Sequence, residues 1–165
     1  MEVELKGIPV EKKETLNNLL EKYNYEFSQY DQAPFDDEGL FHYPYLDQYW
    51  SEAGRYPYFI IVDHKLAGFV LINRHGACDR PVNWSVAEFF VSYPYRRKGV
   101  ATIIMERIFK LHQGFWHIKY HPKNAANKIF WNKLVRSVSN GCYEIVEGNE
   151  CYFDGTASQV LIFKI

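Results

Sequence analysis

Apolar side chains recur along this chain at two spacings, one helical and one alternating, and the switches between them predict the elements. Pro9 to Tyr23 reads as a helix: a proline suits a first turn, and Leu16, Leu19, Leu20 and Tyr23 fall on one face. Asn24 to Glu38 is polar and aromatic and is broken by Pro34, so a loop with a short helix is expected. Tyr45 to Glu52 predicts a helix ending near Gly54. Tyr56 to Asp63 and Leu66 to Arg74 are β-rich runs joined by Asp63-His64-Lys65, a hairpin pattern. A polar loop follows from Arg74 to Asn83, then a strand from Trp84 to Val91. Lys98 to His112 carries the stripe Val100, Ile103, Ile104, Ile108 and Leu111, a helix with Gly114 as its stop. Trp116 to His121 reads as a strand and Asn124 to Arg136 as a helix. Tyr143 to Val146 and Val160 to Lys164 close the pattern, with a turn at Asp154-Gly155. Strands alternate with helices after an initial helical region, which makes the fold α/β or mixed α+β.

Composition narrows the function classes. The chain has 165 residues, a single domain spanning 1–165 with enough length for a real core. A net charge of −1 gives no support to a nucleic-acid or membrane-surface partner. Cys78, Cys142 and Cys151 form an odd, unpatterned set, and the N-terminus lacks a signal-peptide layout, so a reduced, cytoplasmic protein is expected. No run reaches the roughly 18 apolar residues of a membrane span. His117 and His121 would stand roughly 13 Å apart on one strand, so no metal site is expected. Neither a phosphate-binding Gly-x-x-x-x-Gly-Lys-Ser/Thr loop nor a Gly-x-Ser-x-Gly nucleophile elbow is present.

The chemistry concentrates at Val91-Ser-Tyr-Pro-Tyr-Arg-Arg-Lys-Gly-Val100, between a strand and a helix start. The first helical turn has unpaired N–H groups and the positive end of the helix dipole. Arg96, Arg97 and Lys98 add formal charge, and Gly99 removes a Cβ from the path of an anion. The arrangement predicts a seat for a phosphate-rich ligand, although Arg-x-x-Gly-x-Ala alone also describes a solvated basic turn. A second pattern, Asn124-Ala-Ala-Asn-Lys-Ile-Phe-Trp131, follows one βα unit later.

Together the two patterns resemble the GNAT superfamily of acyl-CoA N-acyltransferases, which carry Val-x-Pro-x-Tyr-Arg-x-x-Gly-x-Gly/Ala and a later Asn-x-x-Ala-x-x-Phe-Tyr. Here one further residue precedes the proline, and the motif-level match covers residues 86–131. The resemblance implies a twisted mixed sheet of about six to seven strands, flanked by helices and splayed between its two central strands. It implies acetyl-CoA or coenzyme A as co-substrate, with main-chain amides of Arg96, Arg97, Lys98, Gly99, Val100 and Ala101 on the pyrophosphate. Thr102 would add a hydroxyl, Phe90 and Val91 would pair with the pantetheine arm, and Asn124 would contact it. The tyrosine that commonly protonates the leaving thiolate is replaced by Trp131, which would shape the thioester pocket but is no usable acid.

Direct acetyl transfer to an amine needs a base, because deprotonating a primary amine at neutral pH costs roughly 4–5 kcal/mol. Glu88, a carboxylate among apolar strand residues, is the candidate; such a residue is either partner-satisfied or functional. In GNAT-like proteins the region around Phe35–Tyr45 caps the acceptor pocket. Asp36, Asp37, Phe41 and Tyr45 there would suit a cationic small molecule or a peptide amine, by charge and cation–π attraction. The same acids also suit a helix N-terminus. The alternative to an enzyme is a non-catalytic acyl-CoA-binding module that has lost the acid. A homodimer is compatible with either.

Overall fold

The structure, a computed structural model, describes all 165 residues. Strand β1 (Val3–Gly7) opens the chain, and helix α1 (Lys13–Asp31) and the single turn α2 (Gln48–Ser51) follow. Strands β2 (Tyr56–Val62), β3 (Lys65–Asn73) and β4 (Trp84–Val91) form a meander. Helix α3 (Val100–Leu111) crosses over to β5 (Phe115–Tyr120), and α4 (Ala125–Val138) leads to the hairpin β6 (Tyr143–Cys151) and β7 (Ala157–Lys164). The seven strands form one sheet in the order β1-β2-β3-β4-β5-β7-β6. Only β4 and β5 run parallel, as a crossover through a helix requires.

The sheet is covered on both faces. On one face α3 and α4 close a cluster of 22 buried residues, including Ile104, Ile108, Trp116, Ile118, Trp131 and Val135. On the other, α1 and α2 close a smaller cluster of 8, with Leu16, Leu20, Tyr49, Phe69, Leu71 and Phe90. Strand β3 serves both faces by alternation, Val70 and Ile72 to the first and Phe69 and Leu71 to the second. That double burial explains its near-continuous apolar run.

Three elements depart from expectation. β1 was not foreseen, because only Val3 and Leu5 alternate with charged neighbours; it pairs along β2 from Val3↔Val62 to Gly7↔Tyr58. α1 runs eight residues past Tyr23, through the segment expected to be loop, and ends at Gln32 in the left-handed region. Its second half lacks aliphatic periodicity, but Tyr23, Phe27 and Tyr30 continue the stripe as aromatics, with Tyr23 and Phe27 6.0 Å apart. The Tyr45–Glu52 helix contracts to one turn. No helix is long and apolar enough to cross a membrane.

Candidate active site

The centre of the sheet contains a built-in gap. β4 and β5 pair over three positions, Trp84↔Trp116, Ser85↔His117 and Val86↔Ile118, and then diverge. The register of β3 against β4 shifts at the same place: Ile72 pairs Val86, whereas Leu71 pairs Glu88. Ala87 is therefore the extra residue of a β-bulge, which bends the strand and changes its phase. Before the bulge Val86 faces α3 and α4; after it Phe89 and Val91 face that side, and Glu88, opposite Leu71, faces α1 and α2 with Phe90. Beyond Val86 the β5-facing edge of β4 pairs with no strand.

The turn after β4 is an amide cradle. Ser92 N–H still bonds Ala67 O at 2.8 Å, and a 3-10 turn over Tyr93–Tyr95 brings Arg96 N–H onto Tyr93 O at 3.2 Å. Arg97 then takes φ 59° and Gly99 φ 80°, both left-handed. A Cβ at Gly99 would meet nothing within 4 Å, so the dihedral, not crowding, calls for glycine. The amides of Arg97, Lys98, Gly99, Val100, Ala101 and Thr102 donate to no main-chain or side-chain acceptor. Six free donors at the N-terminus of a 12-residue helix make a concave anion site.

Arg96 plays a different part from the one expected. Its guanidinium donates to both oxygens of Glu26 on α1, at 2.7 and 2.8 Å, and its Nε donates to Val91 O at 2.5 Å. It also lies 4.2 Å from the Tyr93 ring centroid. The Glu26 bridge raises its pKa further. The side chain is a strut between α1 and the turn, its amide is already bonded, and the free cradle begins at Arg97. Arg97 and Lys98 are exposed and form no ion pair, which leaves their charge available.

A groove of about 430 Å³ runs from the cradle along β4, within the range of small-ligand sites. Its walls include Phe90, Val91, Arg97, Gly99, Val100, Ala101 and Thr102, with Tyr23 and Phe27 from α1 and Asn124, Asn127 and Phe130 from α4. Lys98 is not in the wall. Asn124 is, but its Oδ1 caps α4 by accepting from Asn127 N–H at 3.1 Å. Trp131 is not: it is 3% exposed and packs on Phe89 (5.4 Å) and Phe130 (4.8 Å). Its effect on the groove passes through those two rings.

Across β4, on the α1–α2 face, Glu88 sits among phenols. Burial pushes its pKa up, while the Tyr23 phenol, the Lys119 ammonium and the Tyr43 phenol pull it partway back. Tyr49 is pushed up to about 12, and Tyr23, Tyr43 and Tyr152 well above the usual phenol range; burial is the main cause for all four and the Glu88 charge the next. The buried Tyr49 hydroxyl has no hydrogen-bond partner.

The expected acceptor loop is organised otherwise. Asp36 accepts from Glu38 N–H and Leu40 N–H, both at 2.9 Å, and pairs with His42 Nε2 at 2.6 Å, so its carboxylate staples its own loop. Asp37 is exposed, and Tyr45 is half-exposed against Tyr43 (5.9 Å) and beneath Arg55 (5.8 Å). Phe41 packs on Phe35 (4.9 Å) and lines a second cavity of about 1080 Å³, between α1, the 35–41 loop and the ends of β3 and β4. None of the four lines the groove. Tyr23, which does line the groove, carries no mark in the sequence, because a tyrosine on a leucine stripe reads as core.

The family model for the acetyltransferase (GNAT) family matches residues 15–134. No curated protein sequence matches the chain. Among solved structures, a GNAT-family acetyltransferase from Streptococcus agalactiae superposes with a TM-score of 0.69 at 14% identity, covering 99% of this chain and 95% of that one. The PaiA N-acetyltransferase of Thermoplasma acidophilum, in complex with coenzyme A, gives 0.61 at 14% identity over 100% of both chains. Arabidopsis thaliana NAA60, in complex with a bisubstrate analogue, gives 0.62 at 12% identity over 99% and 98%. At these identities the likeness is one of fold.

Proposed function

The chain belongs to the GNAT acetyltransferase family, and from that premise we propose that it moves an acetyl group from acetyl-CoA directly to an amine held in the same complex. The observation that carries the reading is the row of six free amides, Arg97 to Thr102, opening onto the unpaired edge of β4. A diphosphate supplies acceptors for those donors, and Arg97 adds charge at the groove wall. The unpaired β4 edge at Phe90 and Val91 offers main-chain groups to an extended amide-bearing arm. An N–H near Val91 would face the developing oxyanion.

Glu88 is the base in this reading. It lies on the face of β4 opposite Phe89 and Val91, so a thioester threaded through the gap would meet an amine arriving from the α1–α2 side. Its raised pKa brings it nearer that of the group it must deprotonate. No acyl-enzyme is needed, since two held reactants gain from positioning. The acceptor is a small-molecule or peptide amine that places its nitrogen on Glu88 and a polar group on the unpartnered Tyr49 hydroxyl; Asp36 and Asp37 have no part in holding it.

Calorimetry with coenzyme A and acetyl-CoA tests the cradle, and thiol release from acetyl-CoA with an amine panel tests the transfer. Glu88→Gln should slow release at least about tenfold with coenzyme A affinity unchanged. No heat at millimolar ligand would end the reading. Trp131, in place of a proton donor and packed into the core, favours a second reading, an acyl-CoA-binding module; heat without thiol release across the panel would select it.

A further inference from the structure

The cavity of about 1080 Å³ between α1, the 35–41 loop and the ends of β3 and β4 has no part in the transfer reading. It meets the groove only at Glu26 and Phe90, and none of Glu88, Tyr43, Tyr49 and Tyr152 lines it. Its size is at the upper end of small-ligand sites. Its wall is aromatic, with Tyr25, Phe35, Phe41, Phe90 and Tyr93. Three of those rings are left largely in water: Tyr25 is 64%, Phe35 51% and Tyr93 72% exposed. Large apolar side chains gathered on one open surface mark a contact site.

The wall is also built in advance. Glu21 accepts from Phe41 N–H at 2.8 Å and from His42 N–H at 3.0 Å, one on each carboxylate oxygen, and ties the loop to α1. Asp36 N–H donates to Leu40 O at 2.9 Å and closes the loop on itself. Phe35 is stacked on Tyr25, 5.8 Å away at 8°. An occupant therefore need not order the loop. Three charged side chains line the cavity, Glu21, Lys22 and Glu26. Glu21 is taken up by the two amides, and Glu26 by Arg96. Lys22 forms no ion pair; its ammonium reaches only Asn18 O, at 3.3 Å.

We propose that this cavity is a second ligand site, which takes a small aromatic acid. Its ring packs on Phe35 and the neighbouring rings, and its carboxylate meets the Lys22 ammonium. A cationic ligand finds both wall carboxylates already bonded and a like charge at Lys22. An aliphatic acid fills the space but forgoes the ring-on-ring geometry that five aromatics offer. The site stands whether or not the groove binds coenzyme A, because neither Phe35 nor Lys22 lines the groove.

The probe is anilinonaphthalene sulfonate, an aromatic monoanion that fluoresces in apolar surroundings. It is titrated into wild type, Phe35→Ala and Lys22→Met, with coenzyme A present to occupy the groove. Wild type should saturate; Phe35→Ala should weaken the probe about fivefold to tenfold and Lys22→Met about threefold. Both side chains are at the surface, so melting temperatures should stay near wild type. Naphthylacetate should displace the probe at concentrations at least about threefold lower than neutral naphthylacetamide, with the naphthylmethylammonium ion weaker still. No saturable fluorescence in wild type, an affinity that either substitution leaves unchanged, or displacement led by the amide or the ammonium would overturn the site. So would a wild-type dimer that Phe35→Ala dissociates in sedimentation, since a second copy would then cover these rings.

Discussion

Arg96 gives the sharpest test of the site as described, because a phosphate ligand and a strut respond oppositely to the same changes. The perturbation is a double-mutant cycle of Glu26→Gln and Arg96→Met. Two charge-assisted bonds at 2.7 and 2.8 Å join the pair, and the side chains are 32% and 26% exposed. Such bonds contribute about 1.5–3 kcal/mol each when fully buried. Partial exposure and about 2 kcal/mol of arginine rotamer entropy reduce that, leaving a net coupling of about 1–2 kcal/mol. At about 2–4 °C per kcal/mol for a domain of this size, either single change should lower the melting temperature by about 2–8 °C. The double variant should lose little beyond either alone. Affinity for coenzyme A should fall less than about threefold in Glu26→Gln and in Arg96→Met alike, since the amides from Arg97 onward do the binding. Denaturant melts give the coupling and calorimetry the affinity. A coupling below about 0.3 kcal/mol, together with a tenfold or greater loss of affinity in Arg96→Met alone, would refute the strut and restore a phosphate-binding guanidinium.

Three further outcomes are expected. Glu88→Gln should remove the acid limb of the kcat/KM pH profile, a limb that in the wild type lies above the usual carboxylate range. Because the folded protein raises this pKa, Glu88 supports stability only at pH below that range and the support is lost as pH rises through the raised value, so the variant should melt no lower than wild type at neutral pH; a lower melting point would contradict this. Gly99→Ala places an L side chain at φ 80° with free space around it, so it should cost about 1 kcal/mol, about 2–4 °C in melting temperature, and weaken coenzyme A several-fold; an unchanged affinity would show that the cradle does not need that dihedral. Asp154 is held well below the usual carboxylate range, chiefly by Lys123 and Thr156. Its support is present above the ordinary range and disappears as pH falls below about 4, so thermal melts of Asp154→Asn should show a shallower loss of stability on acidification.

Much of the core was legible from residue pattern. The α3 stripe and the β2–β3 hairpin are local signals, and local signals survive folding. The cradle was legible for the same reason, since a strand end, a turn glycine and a helix start define it without reference to the rest of the chain. What failed were the inferences that depend on a distant partner. Arg96 and Arg97 are neighbours of identical chemistry, and only Glu26, 70 residues away, makes one a strut and leaves the other free. Asp36 looked like acceptor chemistry until His42 and two local amides took up its oxygens. Tyr23 stands on a leucine stripe, and nothing near it in the chain marks it as a wall of the groove.

The extra residue at Ala87 decides which face of β4 carries Glu88, and it falls at the gap. Strict alternation from Val86 would have pointed Glu88 into the apolar α3–α4 core, where a carboxylate has no partner. The extra residue at Ala87 changes the phase, so the carboxylate turns to the tyrosine-lined face while Phe89 and Val91 keep the core filled. The same extra residue falls where β4 stops pairing with β5, after Val86↔Ile118. One backbone irregularity thus coincides with the end of the parallel ladder, frees a strand edge and aims an acid toward the opposite side of that edge. A chain that kept perfect β-alternation here would have a continuous sheet, a misplaced Glu88 and no route between the two faces. The bulge therefore links the placement of the candidate base to the opening that a thioester would occupy, and the two features cannot be altered independently.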